Sequence, residues 1–289
     1  MIDEWQDQWA GKLARDSKWR AYAATLESNL FLGHLHQDTM AEFRKGDGSE
    51  LRDAATRPAK MRALVSSSAL AVNFFDPWRN ADKRALSRAL GLPSPIAQLS
   101  FEFKTNDFPV KPRSPNLDLI LHLDDGRSVA VESKFSEPYR SRDGFAGLSV
   151  RYFPDNETLW SEARLPAAQR VADRLRPEWI HLDVPQLLKH LLGLANDPAR
   201  PDSLIYLWFD TGQRDADAHR REIERFTREV ANDFITFRPT TYQDTFRALT
   251  ESEEPVEGWH GYMDQRYFTC RGRTNRRIHP DARKTGARG

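Results

Sequence analysis

Cysteine is nearly absent from this 289-residue chain: Cys270 stands alone. A disulfide within the chain is therefore excluded, as is a zinc site built on cysteines, and a reducing, cytoplasmic setting is expected. No apolar run approaches the roughly 18 residues of a membrane span. The opening Met1-Ile2-Asp3-Glu4-Trp5-Gln6-Asp7 is acidic and lacks a secretion-signal pattern. There is no Walker loop, no Gly-x-Gly-x-x-Gly and no Gly-x-Ser-x-Gly elbow, so the common marks of nucleotide binding and serine hydrolysis are missing. No internal repeat is evident. Net charge is also scarce, at +1, but it is unevenly spread. Seven basic residues between Arg271 and Gly289 face one acid, Asp281, leaving the rest of the chain acidic. Such a tail reads either as a source of salt-sensitive phosphate contacts or as a disordered solubilising end.

Aromatic residues, by contrast, are well supplied, with eight Trp, and the length suits one large domain or two small ones. Residues 1–57 read as a helical N-terminal extension, 58–269 as a core and 270–289 as a basic, disordered tail. Helical patterning covers 4–45, ended by Gly46-Asp47-Gly48-Ser49, then 58–75 and 79–90. Trp5, Trp9 and Trp19 read as core anchors. His34 and His36 with Asp38 make a poor metal set, because side chains two apart on a helix diverge. Residues 98–105 form a first strand, followed by a proline-rich loop over 107–115. After 139–151, also a loop, Asp183-Val184-Pro185-Gln186 opens a helix over 187–195. Ser203 to Asp210 is apolar throughout, as in a strand covered on both faces. A charged helix over 216–231, a strand over 234–238 and helices from Tyr242 and Val256 complete an α/β order.

The chemistry concentrates in a hairpin. Leu117-Asp118-Leu119-Ile120-Leu121-His122-Leu123 and Ser128-Val129-Ala130-Val131-Glu132-Ser133-Lys134-Phe135 flank Asp124-Asp125-Gly126, a strong turn signal. With Gly126 in the left-handed conformation, Leu123 faces Arg127 and paired positions sum to 250. Asp118 then lies opposite Glu132, Ile120 opposite Ala130 and His122 opposite Ser128. Alternation places Leu117, Leu119, Leu121, Leu123, Val129, Val131 and Phe135 on one face, and Asp118, Glu132 and Lys134 on the other beside Ala130. A two-residue loop would separate the two acids. Facing carboxylates repel, so a half-buried pair calls for a cation. Mg2+ suits it, being bound by one or two carboxylates plus waters and phosphate oxygens. The plainer reading is a polar face on which Lys134 bridges the acids.

Pro115-Asn116-Leu117-Asp118 followed by Glu132-Ser133-Lys134 resembles the motif of the PD-(D/E)xK nuclease superfamily. With Phe101-Glu102-Phe103-Lys104 and Val131-Glu132-Ser133-Lys134-Phe135-Ser136-Glu137-Pro138-Tyr139, the chain is similar to a bacterial family of restriction-endonuclease-like proteins from about residue 60 to 268. Pro115 stands two residues away from its usual place next to the aspartate. The resemblance implies a restriction-endonuclease-like α/β core, a central mixed sheet flanked by helices. It further implies Asp118, Glu132 and the Ser133 carbonyl as ligands of Mg2+, with Mn2+ as a substitute. Lys134 would orient the attacking water and stabilise charge on phosphorus.

Around this centre several residues carry two readings. Glu102 is either an added acidic ligand or base, or part of an exposed ladder with Ser100 and Lys104. Gln186 touches substrate or caps its own helix, since Asp-x-x-Gln is also a capping box. His190 reads as a partly buried neighbour, with a general base as the alternative. Lys111, Arg113, Arg140, Arg142 and Arg151 are contacts for DNA or solvated loop charges. The expectation is a Mg2+-dependent deoxyribonuclease of restriction, defence or DNA-processing type, with RNA and a homodimer left open. A silent nucleic-acid-binding protein of the same fold is the main rival. A two-carboxylate glycosidase fits poorly, because the adjacent lysine opposes the raised pKa that a general acid needs.

Overall fold

A computed structural model describes residues 2–46, 50–105, 108–110, 114–140, 147–154, 158–198 and 201–269. Lys111, Arg113, Arg142 and the basic tail lie outside the described residues.

Five strands form one mixed sheet in sequential order. β1 (Ile96–Lys104), β2 (Asn116–Leu123) and β3 (Ser128–Lys134) are an antiparallel meander. β4 (Ser203–Trp208) and β5 (Thr236–Thr241) then add in parallel to β3. Parallel neighbours need a covered crossover connection, and the chain supplies one after β3 and another after β4. β4 accordingly carries apolar side chains on both faces, all of them buried.

Helices cover both sides. One layer holds α3 (Ser67–Phe75), α9 (Tyr242–Leu249) and α10 (Trp259–Met263), packed on Leu119, Leu121, Val129, Val131 and Ile205. α1 (Ile2–Trp9), α2 (Gln37–Lys45) and α4 (Arg84–Ala89) add to this layer through Ile2, Phe43 and Leu86. The opposite layer holds α6 (Pro166–Asp173), α7 (Val184–Asn196) and α8 (Arg214–Glu229), with α5 (Thr158–Glu162) at its margin. It packs on Ala130, Leu204, Tyr206 and Trp208. The result is an α/β fold consistent with a restriction-endonuclease-like core.

The hairpin takes the expected register, with Ile120 on Ala130 and His122 on Ser128. Gly126 has φ +83° and its amide bonds the Leu123 carbonyl, while the Leu123 amide bonds the Arg127 carbonyl. The alternation is correct up to one point. Leu117 packs in the layer of α7, not with Leu119, and Phe103 likewise parts from Phe101. Between them sits Glu102 at φ +51°, a backbone conformation that does not belong to a strand. That break swaps the faces at the end of β1 and β2.

The N-terminal region departs further from expectation. Residues 13–36 form no α-helix beyond a 3-10 turn at Glu27–Asn29: a 3-10 turn at Ala10–Lys12 ends α1, and isolated bridges join Arg15 to Ala23 and Tyr22 to Ala63. Asp16 draws the amides of Lys18 and Trp19 into a turn, and Arg62 binds the carbonyls of Ala23 and Ala24. Side chains compete successfully with the helix here. The expected helix over 58–75 narrows to α3, capped by Ser66, and the one over 79–90 narrows to α4. Trp5 packs on Phe209 and Trp9 on Tyr262, whereas Trp19 is half-buried under Lys18.

The chain ends of the described fold meet around Arg266, in the π-helical turn Asp264–Phe268. Its fully buried guanidinium donates to the Asn29 carbonyl at 2.7 Å, to Asn29 Oδ1 at 2.6 Å and to the Tyr262 hydroxyl at 2.5 Å. The Trp9 ring lies 4.3 Å from it, and Gln6 binds the Arg266 carbonyl. Among the described residues no helix is long and apolar enough to cross a membrane.

Candidate active site

The candidate centre forms where β2 and β3 stop pairing. Their ladder ends at Leu119 and Val131. Beyond it the Ser133 amide donates to Asp118 Oδ2 at 2.7 Å, so a carboxylate replaces the backbone partner. The Ser133 hydroxyl meets the Tyr242 hydroxyl at 2.7 Å on the other side of the sheet. Ser133 thus fixes Asp118 from one side while β4 holds β3 from the other, through Lys134 paired with Trp208.

Glu132 and Lys134 point into the layer of α7. Lys134 Nζ is 2.5 Å from Glu132 Oε1. The second carboxylate oxygen, Oε2, is 3.2 Å from His190 Nε2 on α7, and both side chains are only 2% exposed. That contact is close but misaligned. Among the described residues, neither Glu132 Oε2 nor either ring nitrogen of His190 has a hydrogen bond of acceptable geometry. Buried polar groups are nearly always satisfied, so this pair stands out.

α7 is seated close to the sheet for a reason visible in its sequence. A methyl group at Gly193 would lie 2.8 Å from Thr105 Oγ1 and 3.0 Å from Pro115 Cγ. Pro115, the displaced proline of the motif, therefore helps to set the height of the helix that carries His190.

The electrostatics follow from crowding acids in a dry place. Burial pushes the Asp118 carboxyl well above its ordinary range, and the Glu132 charge adds to the shift against the opposing pull of Lys134 and the Ser133 amide. Burial acts upward on Glu132 too, but Lys134 and His190 outweigh it and bring Glu132 to about 2. Lys134 is raised: burial opposes its charge, and the Glu132 and Asp118 carboxylates more than compensate. A lysine counter-ion thus favours the charged form of one acid, while burial and its neighbour's charge oppose ionisation of the other.

Glu102 joins this group, so the exposed-ladder reading does not hold. Its positive φ turns it inward, where Asn116 Nδ2 lies 3.4 Å from Oε2. Burial and then the charges of Glu50 and Glu132 lift it to about 7. Glu50 was not anticipated. It is buried, bound by Lys60 at 3.1 Å and by Ser68 Oγ at 2.8 Å. It lies in a loop with no periodicity and more than fifty positions before the hairpin, so no sequence signal singles it out.

Gln186 stands at the start of α7, which Asp183 caps, and at a cavity wall. Asp183 accepts its amide at 3.0 Å as a helix cap, and its side chain lines a cavity of about 330 Å³ with Lys134, Glu137, Arg140 and Tyr206. Arg140 also borders a second cavity, of about 300 Å³, with Tyr139 and Arg214, and pairs with Asp3 at 3.1 Å. Arg151 lies on the exposed turn Val150–Tyr152 and lines neither cavity. His36, from the set that reads as a poor metal site, contacts Asp76 at 3.1 Å.

Among the described residues no three His, Cys, Asp or Glu side chains are already gathered as a metal set. The donors present still fit one. Two carboxylates and a strand carbonyl are what a hard divalent ion takes alongside water, and Glu132 Oε2 is an open, buried acceptor. No curated protein and no solved structure matches the chain. A family described as "restriction endonuclease associating with ARP" matches residues 3–268, nearly all of the described fold, and the chain belongs to that family.

Proposed function

We propose that this protein is a divalent-metal-dependent nuclease that hydrolyses phosphodiester bonds of DNA, acting as an endonuclease. The observation that carries the reading is the Glu132–Lys134 pair at 2.5 Å beside the charge-resisting Asp118 and next to an open cavity. Membership of a restriction-endonuclease family supports nuclease chemistry in general.

Asp118, Glu132 and the Ser133 carbonyl would hold Mg2+, with Mn2+ able to replace it. The ion, when bound, polarises the phosphoryl oxygen and lowers the pKa of a coordinated water. The protein's own residues supply the rest. Lys134 presents an ammonium to the cavity side of β3, where it can orient the water and offset charge developing on phosphorus. The Ser133 amide keeps Asp118 in place. Gln186 and Arg140, which line the cavity, would meet a substrate strand there.

The test is cleavage of supercoiled and linear DNA with Mg2+ or Mn2+, run beside Lys134→Ala. Loss of one such electrostatic donor should slow the reaction by about 10²–10³-fold. Equal cleavage by both proteins would overturn the reading. A silent DNA-binding protein would instead show no carboxylate-dependent metal binding by calorimetry.

A further inference from the structure

We propose that His190 is a direct ligand of the metal centre, making it a mixed oxygen and nitrogen site that selects a transition ion such as Mn2+ over Mg2+. This rests on the metal-nuclease reading above and adds to it the identity of the preferred ion.

Geometry is the first ground. Two donors each about 2.1 Å from one ion, and at right angles about it, stand about 3.0 Å apart. Glu132 Oε2 and His190 Nε2 are 3.2 Å apart. They are not aligned on each other as donor and acceptor, and both atoms lack another partner among the described residues. The two buried groups are thus spaced as two ligands of one ion are, without being aligned as donor and acceptor.

Placement is the second ground. Glu132 Oε1 is engaged by Lys134, and Asp118 Oδ2 by the Ser133 amide. The remaining Glu132 oxygen faces α7, so an ion bound there necessarily approaches the imidazole. Because Gly193 seats α7 directly against Thr105 and Pro115, His190 has little room to withdraw.

Ligand chemistry supplies the selectivity. Carboxylate, carbonyl and water serve Mg2+ and Mn2+ alike, whereas an imidazole ligand favours the first-row transition ion over Mg2+, which gives up its waters reluctantly. A purely oxygen-lined centre has little basis for such a preference.

The experiment uses the whole chain, stripped of metal and titrated with Mn2+ and with Mg2+ by calorimetry. Pulsed electron paramagnetic resonance of the Mn2+-loaded protein follows, with ordinary and with 15N-labelled histidine. The expected result is a directly bound nitrogen whose coupling changes with the isotope label. That coupling should vanish with Asp118→Asn, which weakens the same centre, and with His190→Asn. The Mn2+ to Mg2+ affinity ratio should fall by about tenfold or more in His190→Asn. If His190→Asn does not fold, the isotope comparison in the unaltered chain decides the matter alone. Mn2+ binding that depends on Asp118 and Glu132 but shows no histidine nitrogen overturns this inference and leaves the nuclease reading standing. Failure of both ions to bind overturns both.

Discussion

Two of the places where this protein buries charge are built on opposite rules. Around Arg266, no acid among the described residues pairs with the cation, yet carbonyl, amide and hydroxyl oxygens and three aromatic rings enclose it. Only its Nε goes without a partner. Around Glu132, three acids and a lysine converge, an oxygen and an imidazole are left open, and Asp118 is driven toward its neutral form. The first cluster ties α1 and the segment around Asn29 to the last turn of the fold. The second leaves buried polar atoms without hydrogen bonds among the described residues. A chain that closes one polar cluster so fully and leaves another open distinguishes holding itself together from holding something else.

Substitution should separate these roles. Removing the closed cluster's cation by Arg266→Ala strips Asn29 Oδ1 and the Tyr262 hydroxyl of their donor and leaves the Asn29 carbonyl with Asn73 alone. A loss of about 3–5 kcal/mol is expected in denaturant unfolding, with cleavage per folded molecule unchanged. A cost below about 1 kcal/mol would show that the two clusters do not differ as described.

The open cluster should respond to pH. Glu102 has an ordinary value of 4.5 and is lifted to about 7 in the fold, by burial first and then by Glu50 and Glu132. The folded state therefore holds a proton that the unfolded chain has released between those values. The contribution to stability is complete below about 4.5 and is lost as pH rises through about 7, by about 2–3 kcal/mol. Metal-free wild type compared with Glu102→Gln should reveal this slope as a difference between their unfolding curves. Parallel pH profiles would remove Glu102 from the site.

The smallest effect is the most pointed. Asp118→Asn keeps an acceptor for the Ser133 amide but removes a carboxyl that the fold resists ionising. At pH 8 without metal, this variant should be more stable than wild type by about 1 kcal/mol while losing metal-dependent cleavage. A destabilised variant would mean that Asp118 serves the fold first.

How much of this was legible beforehand varies with the range of the forces involved. The hairpin register could be read because Gly126 and strict alternation act over a few residues, and the capping Asp183 could be read for the same reason. The fully covered β4 announced itself by continuous apolarity. The inward turn of Glu102 was not readable, because the letters around it, Phe101-Glu102-Phe103-Lys104, follow strand alternation while the backbone departs from it. Glu50 and the Arg266 cage depend on contacts hundreds or scores of positions apart, as in Arg266 to Asn29. The stretch 13–36 has apolar spacing compatible with a helix, but Asp16 and Arg62 draw its backbone groups elsewhere. His190 was visible as a neighbour of the site; its unmatched ring nitrogens were not.

Gly193 has a consequence that reaches beyond packing. With no side chain between them, α7 rests against Thr105 and Pro115 as against a gauge block, so the distance from helix to strand is machined into the main chain. Any drift in the segment entering β2 would be transmitted at once to the imidazole three residues back along the helix. A change in that segment would therefore move His190 relative to Glu132 without touching either residue.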